Sequence, residues 1–295
     1  MSEAERAVEG PPRRFDPVFA LALVCFFLSG FAALLYQTVW TRQFSFVFGT
    51  ADLAVATVLA AYMGGLALGA AIAGRWAAVT PRPLLAYGFL ELVIAVSALL
   101  VPLAIRGSTA VAVAAFGSGD APPSATGSAL AAFYLGAAFV VLLVPTTCMG
   151  ATLPLLARVS VRRDDEIGGR IGTLYAVNTA GAVAGTLVAA FVLLPSLGLT
   201  RTVLAGVAVN SVVCALAALV GGRGDGEVPV VTVTPVATRS GALVLVLLLA
   251  SGVTSFTYEV VWTRLLCHIL GGSTYAFATM LATFLAGIAL GAAGA

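Results

Sequence analysis

Lysine is absent from this 295-residue chain, and charge of either sign is scarce: charged side chains make up 9% of it and histidine occurs once. A soluble globular domain carries about 25% charged residues. A chain of this length with so little charge has too little polar surface to cover a core in water, which excludes an ordinary soluble fold. The basic residues, all arginine, are spread mostly singly between apolar runs and leave a net charge of +2. No basic patch suits nucleic acid, so that partner class is excluded too. One imidazole, His268, makes a Ser–His catalytic pair or a His-based metal site hard to build, and a headgroup contact at a span boundary is its simpler role. The four cysteines (Cys25, Cys148, Cys214, Cys267) have no metal-ligand spacing and read as small buried hydrophobes.

What the chain does have is grease. Hydrophobic residues account for 60% of it and the mean hydropathy is +1.06. Crossing the hydrocarbon of a bilayer takes roughly 20 apolar residues in a helix. Runs of that length fall at 17–39, 52–74, 83–105, 128–150, 171–194, 200–221, 240–262 and 273–294, with the fifth and sixth open to being one re-entrant unit. The expected fold is an all-α, polytopic transmembrane bundle of about eight spans, with the lipid bilayer as its first partner. A break from Arg106 to Ser128, with Pro122 and Pro123, ends the third run. The first run is too long for a cleaved signal peptide and lacks a small-x-small site, so it is read as a retained helix.

Arginine placement predicts orientation. With a cytoplasmic N-terminus, Arg6, Arg13, Arg14, Arg75, Arg82, Arg158, Arg162, Arg163, Arg170, Arg223 and Arg239 lie inside, and only Arg42, Arg106, Arg201 and Arg264 lie outside. That bias follows the positive-inside rule. It places both ends of the chain on the cytoplasmic side of the membrane. The run Arg162-Arg163-Asp164-Asp165-Glu166 reads as a solvated loop, and Gly221-Gly222-Arg223-Gly224-Asp225-Gly226 as a linker, because no strand precedes it as a nucleotide loop would need.

The chain also repeats itself. Shifted by 222 positions, residues 29–73 align with 251–295 without a gap, and 20 of those 45 pairs are identical. Tyr36-Gln37-Thr38-Val39-Trp40-Thr41-Arg42 meets Tyr258-Glu259-Val260-Val261-Trp262-Thr263-Arg264. Six spans separate the copies, so both point the same way, as in transporters with two parallel six-helix halves. The implied organisation is a cytoplasmic tail (1–16), a first six-helix repeat (17–221), a cytoplasmic linker (222–239) and the first two helices of a second repeat (240–295). A major-facilitator-like arrangement within a longer protein is expected.

Several residues stand out for their chemistry. Gly65 and Gly69, Gly181 and Gly185, and Gly287 and Gly291 each put two glycines one turn apart, a spacing that lets membrane helices pack closely or slide. Tyr36, Trp40, Tyr258 and Trp262 suit either an interfacial aromatic belt or a pathway lining. Glu91 lies eight residues into the third run, about 12 Å along its axis. A carboxyl at that depth faces either a cation or proton path or a hydrogen-bonding neighbour. Glu259 and its counterpart Gln37 are candidates for the same interior, with Asn178 and Asn210 behind them.

Three phrases then resemble a known family: Tyr36-Gln37-x-x-Trp40-x-Arg42 with its Tyr258-Glu259 copy, Met149-Gly150-Ala151-Thr152-Leu153-Pro154-Leu155, and Leu174-Tyr175-Ala176-x-Asn178-Thr179-x-Gly181-Ala182. Together they resemble the membrane region of bacterial spermidine-synthase-like membrane proteins, a transporter-like domain joined to a polyamine aminopropyltransferase-like domain. The resemblance implies a module that moves or senses polyamines or related small polycations, or else anchors a cytoplasmic enzyme domain following it. That domain's glycine-rich loop and acidic residues have no counterpart here, so no catalytic, cofactor-binding or metal-binding residue is assigned. Gln37 departs from the family's usual Tyr-Glu pair.

Overall fold

The computed structural model describes residues 16–48, 51–117, 128–161, 166–222, 241–271 and 274–294. The N-terminal tail, the run 162–165 and the linker from 223 to 240 lie outside the described residues. Within them the chain is helical: α1 (Pro17–Phe48), α2 (Ala51–Trp76), α3 (Pro83–Phe116), α4 (Ser128–Ser160), α5 (Ile167–Val188), α6 (Leu194–Gly221), α7 (Gly241–Leu270) and α8 (Thr274–Gly294). Asp16 starts α1 by accepting the Val18 and Phe19 amides at 3.2 and 3.3 Å, and Pro83 sits in the first turn of α3, where its missing N–H is no loss. Several helices outrun the expected spans. α1 continues through Arg42, and α3 passes the expected stop at Arg106 and absorbs Pro102. A helix of 32 residues is about 48 Å long, so its ends reach past the hydrocarbon.

Among the described residues, seven helical stretches are long and apolar enough to cross a membrane, and one of them, Ile167–Gly221, comprises both α5 and α6. Helix pairing shows that it doubles back. Gly181 and Gly185 of α5 lie against Phe27 and Phe31 of α1, so these two helices run parallel. α3 also runs with α1, since Tyr87 meets Cys25 and Glu91 meets Ser29. α6 runs against α3, with Gly88 on Ala217 and Leu85 on Gly221. α5 and α6 therefore point in opposite directions. The reversal comes after a π-helical turn (Ala189–Leu193), at Gly198, whose φ of 72° is open to glycine and strained for other residues. The fifth and sixth expected runs are thus separate legs.

α1 is the centre of the bundle, touching α2, α4, α5 and α6. Small residues set its distances, because no hydrophobic force draws helices together in lipid and close backbone approach must supply dispersion instead. A Cβ on Gly181 would stand 2.0 Å from the Phe27 carbonyl oxygen, and one on Gly185 2.1 Å from that of Phe31. α2 and α4 meet in the same way: Gly69 faces the Thr147 carbonyl, Gly65 faces Thr146, and Gly150 faces Leu66. Apolar side chains cover the outside, among them Val140 (73% exposed) and Leu290 (76% exposed). On a chain with this composition that surface is the lipid-facing one. At one end of the bundle, Arg170 bridges Asp16 (3.0 Å) and Glu166 (3.1 Å), donates to the Ser160 carbonyl and covers the Phe19 ring. This ties the starts of α1 and α5 to the end of α4.

The sequence repeat is visible as geometry. α1 ends at Phe48 and α7 at Leu270, which are 222 positions apart, and each is followed by the paired α2 or α8. The Thr41 hydroxyl donates to the Gln37 carbonyl at 2.8 Å, and Thr263 does the same to Glu259 at 2.8 Å.

Candidate functional site

α1, α3 and α6 bring a group of polar side chains to the inside of the bundle. Glu91, on α3, has no exposed surface. Its Oε2 accepts from Asn210 Nδ2 of α6 at 2.5 Å, and Asn210 Oδ1 in turn accepts from the Tyr36 hydroxyl of α1 at 2.9 Å. The two contacts fix the amide: one side donates to the carboxyl, the other receives the phenol proton. The hydroxyls of Ser29 and Tyr87 neighbour the same carboxyl, and Tyr87 donates to the Cys25 carbonyl at 3.2 Å. Glu91 Oε1 has no hydrogen-bond partner.

Local sequence explains the convergence. Tyr87 precedes Glu91 by one turn and so shares its helix face. Gly206 lies one turn from Asn210, and a Cβ there would stand 2.6 Å from the Tyr36 ring, so only glycine lets the phenol reach the amide. The group continues along α1 as an aromatic ladder. Tyr36 stacks on Trp40 with centroids 5.4 Å apart, and Trp40 meets Tyr62 of α2 at 6.5 Å. Beside it Gln37 is wholly buried with both side-chain polar atoms unpartnered, as is the Trp40 indole N–H. Buried polar atoms are nearly always satisfied. The free Glu91 Oε1 marks a place fitted for a water, a proton or a small cation, and Gln37 and Trp40 are further orphans along α1.

The remaining sequence candidates divide. Glu259 is 2% exposed with Oε1 unpartnered, but no hydrogen bond joins it to the Glu91 group among the described residues. Tyr258 and Trp262 face outward, at 57% and 54% exposure, whereas their counterparts Tyr36 and Trp40 are buried in the bundle. The belt reading fails for Tyr36 and Trp40. Asn178 is half-buried, its carbonyl and side chain against Gly30. Gly287 and Gly291 have open space where a Cβ would point. Sequence reasoning passed over Ser29, Tyr62 and Tyr87. The one-turn spacing of Tyr87 from Glu91 was the signal available for the last of these. Among the described residues no three His, Cys, Asp or Glu side chains gather as metal ligands would.

Compared with known protein families, with curated proteins and with solved structures, the chain matches none.

Proposed function

We propose that this membrane protein is a transport-like module that moves or senses small cations, polyamines among them, with Glu91 as the group that takes and releases the cation or a coupled proton. The observation that carries the reading is the position of Glu91: fully enclosed, hydrogen-bonded through Asn210 to Tyr36, yet with one carboxyl oxygen uncommitted. An ionisable group inside a membrane bundle is costly, about 2.5–3.5 kcal/mol at a helix centre on insertion scales, and usually marks an ion or proton path. The Tyr36 ring, joined to Glu91 through Asn210, adds a cation-attracting face on the same side. The parallel repeat and the resemblance to spermidine-synthase-like membrane proteins support the same reading. The resemblance also favours a bacterial inner-membrane location, and the arginine bias favours a cytoplasmic N-terminus.

The test is flux. Purified protein in sealed vesicles should take up labelled spermidine or exchange protons, and Glu91→Gln, which keeps the shape and the bond from Asn210, should abolish the coupled movement while leaving the protein folded. Glu259→Gln reports on the second buried carboxyl in the same assay. Unchanged flux in both variants removes the carboxyls from the mechanism. If no cation moves at all, and a generic span replaces the bundle without loss to an attached aminopropyltransferase-like domain, the module is an anchor.

A further inference from the structure

At the end of the bundle away from Arg170, the irregular backbone of the α5–α6 reversal borders a cavity of about 360 Å³. It is formed by the π-helical turn at Ala190, the positive-φ Gly198 with Leu199, the first residues of α8 (Thr274 and Tyr275), and Arg42 and Phe46 of α1. π-turns recur at functional sites. The charge in this cavity is uncompensated. The Arg42 guanidinium lies over the Phe46 ring at 5.1 Å and forms no ion pair among the described residues, and no acidic side chain is in the lining. The opening amides of α8 have no acceptor within their own helix, which adds positive potential on the same side.

From these we infer that the Arg42 cavity binds the anionic headgroup of an amphiphile, a phosphate or carboxylate joined to an apolar body. The cation and helix start hold the anion, and Phe46, Leu194, Leu199 and Tyr275 receive the apolar part. The apolar lining beside the guanidinium separates this from a site for a simple inorganic anion. Arginine suits the task, because its planar donor fork pairs two oxygens of one phosphate or carboxylate. The site is separate from the Glu91 group, so its test does not depend on transport.

The experiment is native mass spectrometry of the purified chain released from nanodiscs that contain equal amounts of phosphatidylglycerol and phosphatidylcholine. Wild type should retain one phosphatidylglycerol at least tenfold more than phosphatidylcholine. Arg42→Gln should remove that preference, Arg42→Lys should restore part of it, and Arg106→Gln, an exposed arginine outside the cavity, should leave it intact. Leu199→Trp fills the space with the charge kept and should also expel the lipid, which guards against misfolding of the arginine variants. Equal retention of the two lipids by wild type, or preference unchanged in both Arg42→Gln and Leu199→Trp, overturns the inference. Displacement of the lipid by millimolar inorganic phosphate overturns the amphiphile assignment in favour of a soluble anion.

Discussion

If Glu91, Asn210 and Tyr36 form one hydrogen-bonded unit, deleting the middle member strands both neighbours. Asn210→Ala removes the donor to Glu91 Oε2 and the acceptor of the Tyr36 hydroxyl, and neither site admits bulk water, since both residues are fully enclosed. An orphaned buried polar group costs about 1–3 kcal/mol in soluble proteins. Side-chain hydrogen bonds inside membranes average about 0.6 kcal/mol and reach about 1.7. Two lost bonds at the membrane scale set the expected destabilisation at about 1–3 kcal/mol. The sharper quantity is the coupling. In a double-mutant cycle of Glu91→Ala and Asn210→Ala, the interaction energy should be about 1 kcal/mol, inside the membrane range. Equilibrium unfolding in mixed micelles, driven by rising dodecyl sulfate and read by tryptophan fluorescence, measures each corner. Glu91→Gln should sit close to wild type, because its amide oxygen still accepts from Asn210. Additivity of the two alanine substitutions within about 0.3 kcal/mol would mean that the residues do not interact, and the proposed site would lose its centre.

Two further outcomes follow from packing. Gly69→Val should destabilise by about 1–3 kcal/mol, since even a Cβ there would stand 1.9 Å from the Thr147 carbonyl oxygen, whereas Gly287→Ala should gain about 0.5–1 kcal/mol from helix propensity because nothing lies within 4 Å; the same micelle titration reads both, and equal effects would contradict the packing of α2 on α4. Single-tryptophan variants should separate Trp40, which has no exposed surface, from Trp262, which is 54% exposed: brominated acyl chains should quench Trp262 strongly and Trp40 weakly, and the reverse order would invert the assignment of inside and outside.

Much of the architecture was legible because hydropathy and length report the solvent directly. A chain with this little charge has one environment open to it, and runs of apolar residues show where it crosses. Helix ends were less legible. Arg42 and Arg106 look like stop signals, yet α1 and α3 run through both, because a long arginine can keep its charge at the interface while its backbone stays helical. The reversal between α5 and α6 was marked by Pro195 and Gly198, between the expected runs 171–194 and 200–221, but the sequence left open whether those runs were separate legs or one re-entrant unit. Glu91 was findable as an isolated carboxyl in grease. Its partners were not, since Asn210 is 119 positions away and reaches it only through the packing of α3 on α6.

The repeat shows why local pattern stops short of function. Tyr36 and Tyr258 sit in near-identical heptapeptides, on helices with matching ends and the same threonine-to-carbonyl bond one turn on. One phenol is sealed in the bundle and bonded to Asn210, while the other is 57% exposed. Nothing in the heptapeptide separates the two fates. The difference lies in what covers them: Gly206 leaves the space and Asn210 supplies the acceptor for the first copy, and among the described residues no helix does so for the second. Glu259 is buried beside its exposed tyrosine with one oxygen unpartnered, so burial alone does not make the site, and the Glu91 group is a property of how α1, α3 and α6 meet. Substitutions that leave the α1 heptapeptide intact but change Gly206 should therefore disable the site as effectively as changing Tyr36 itself.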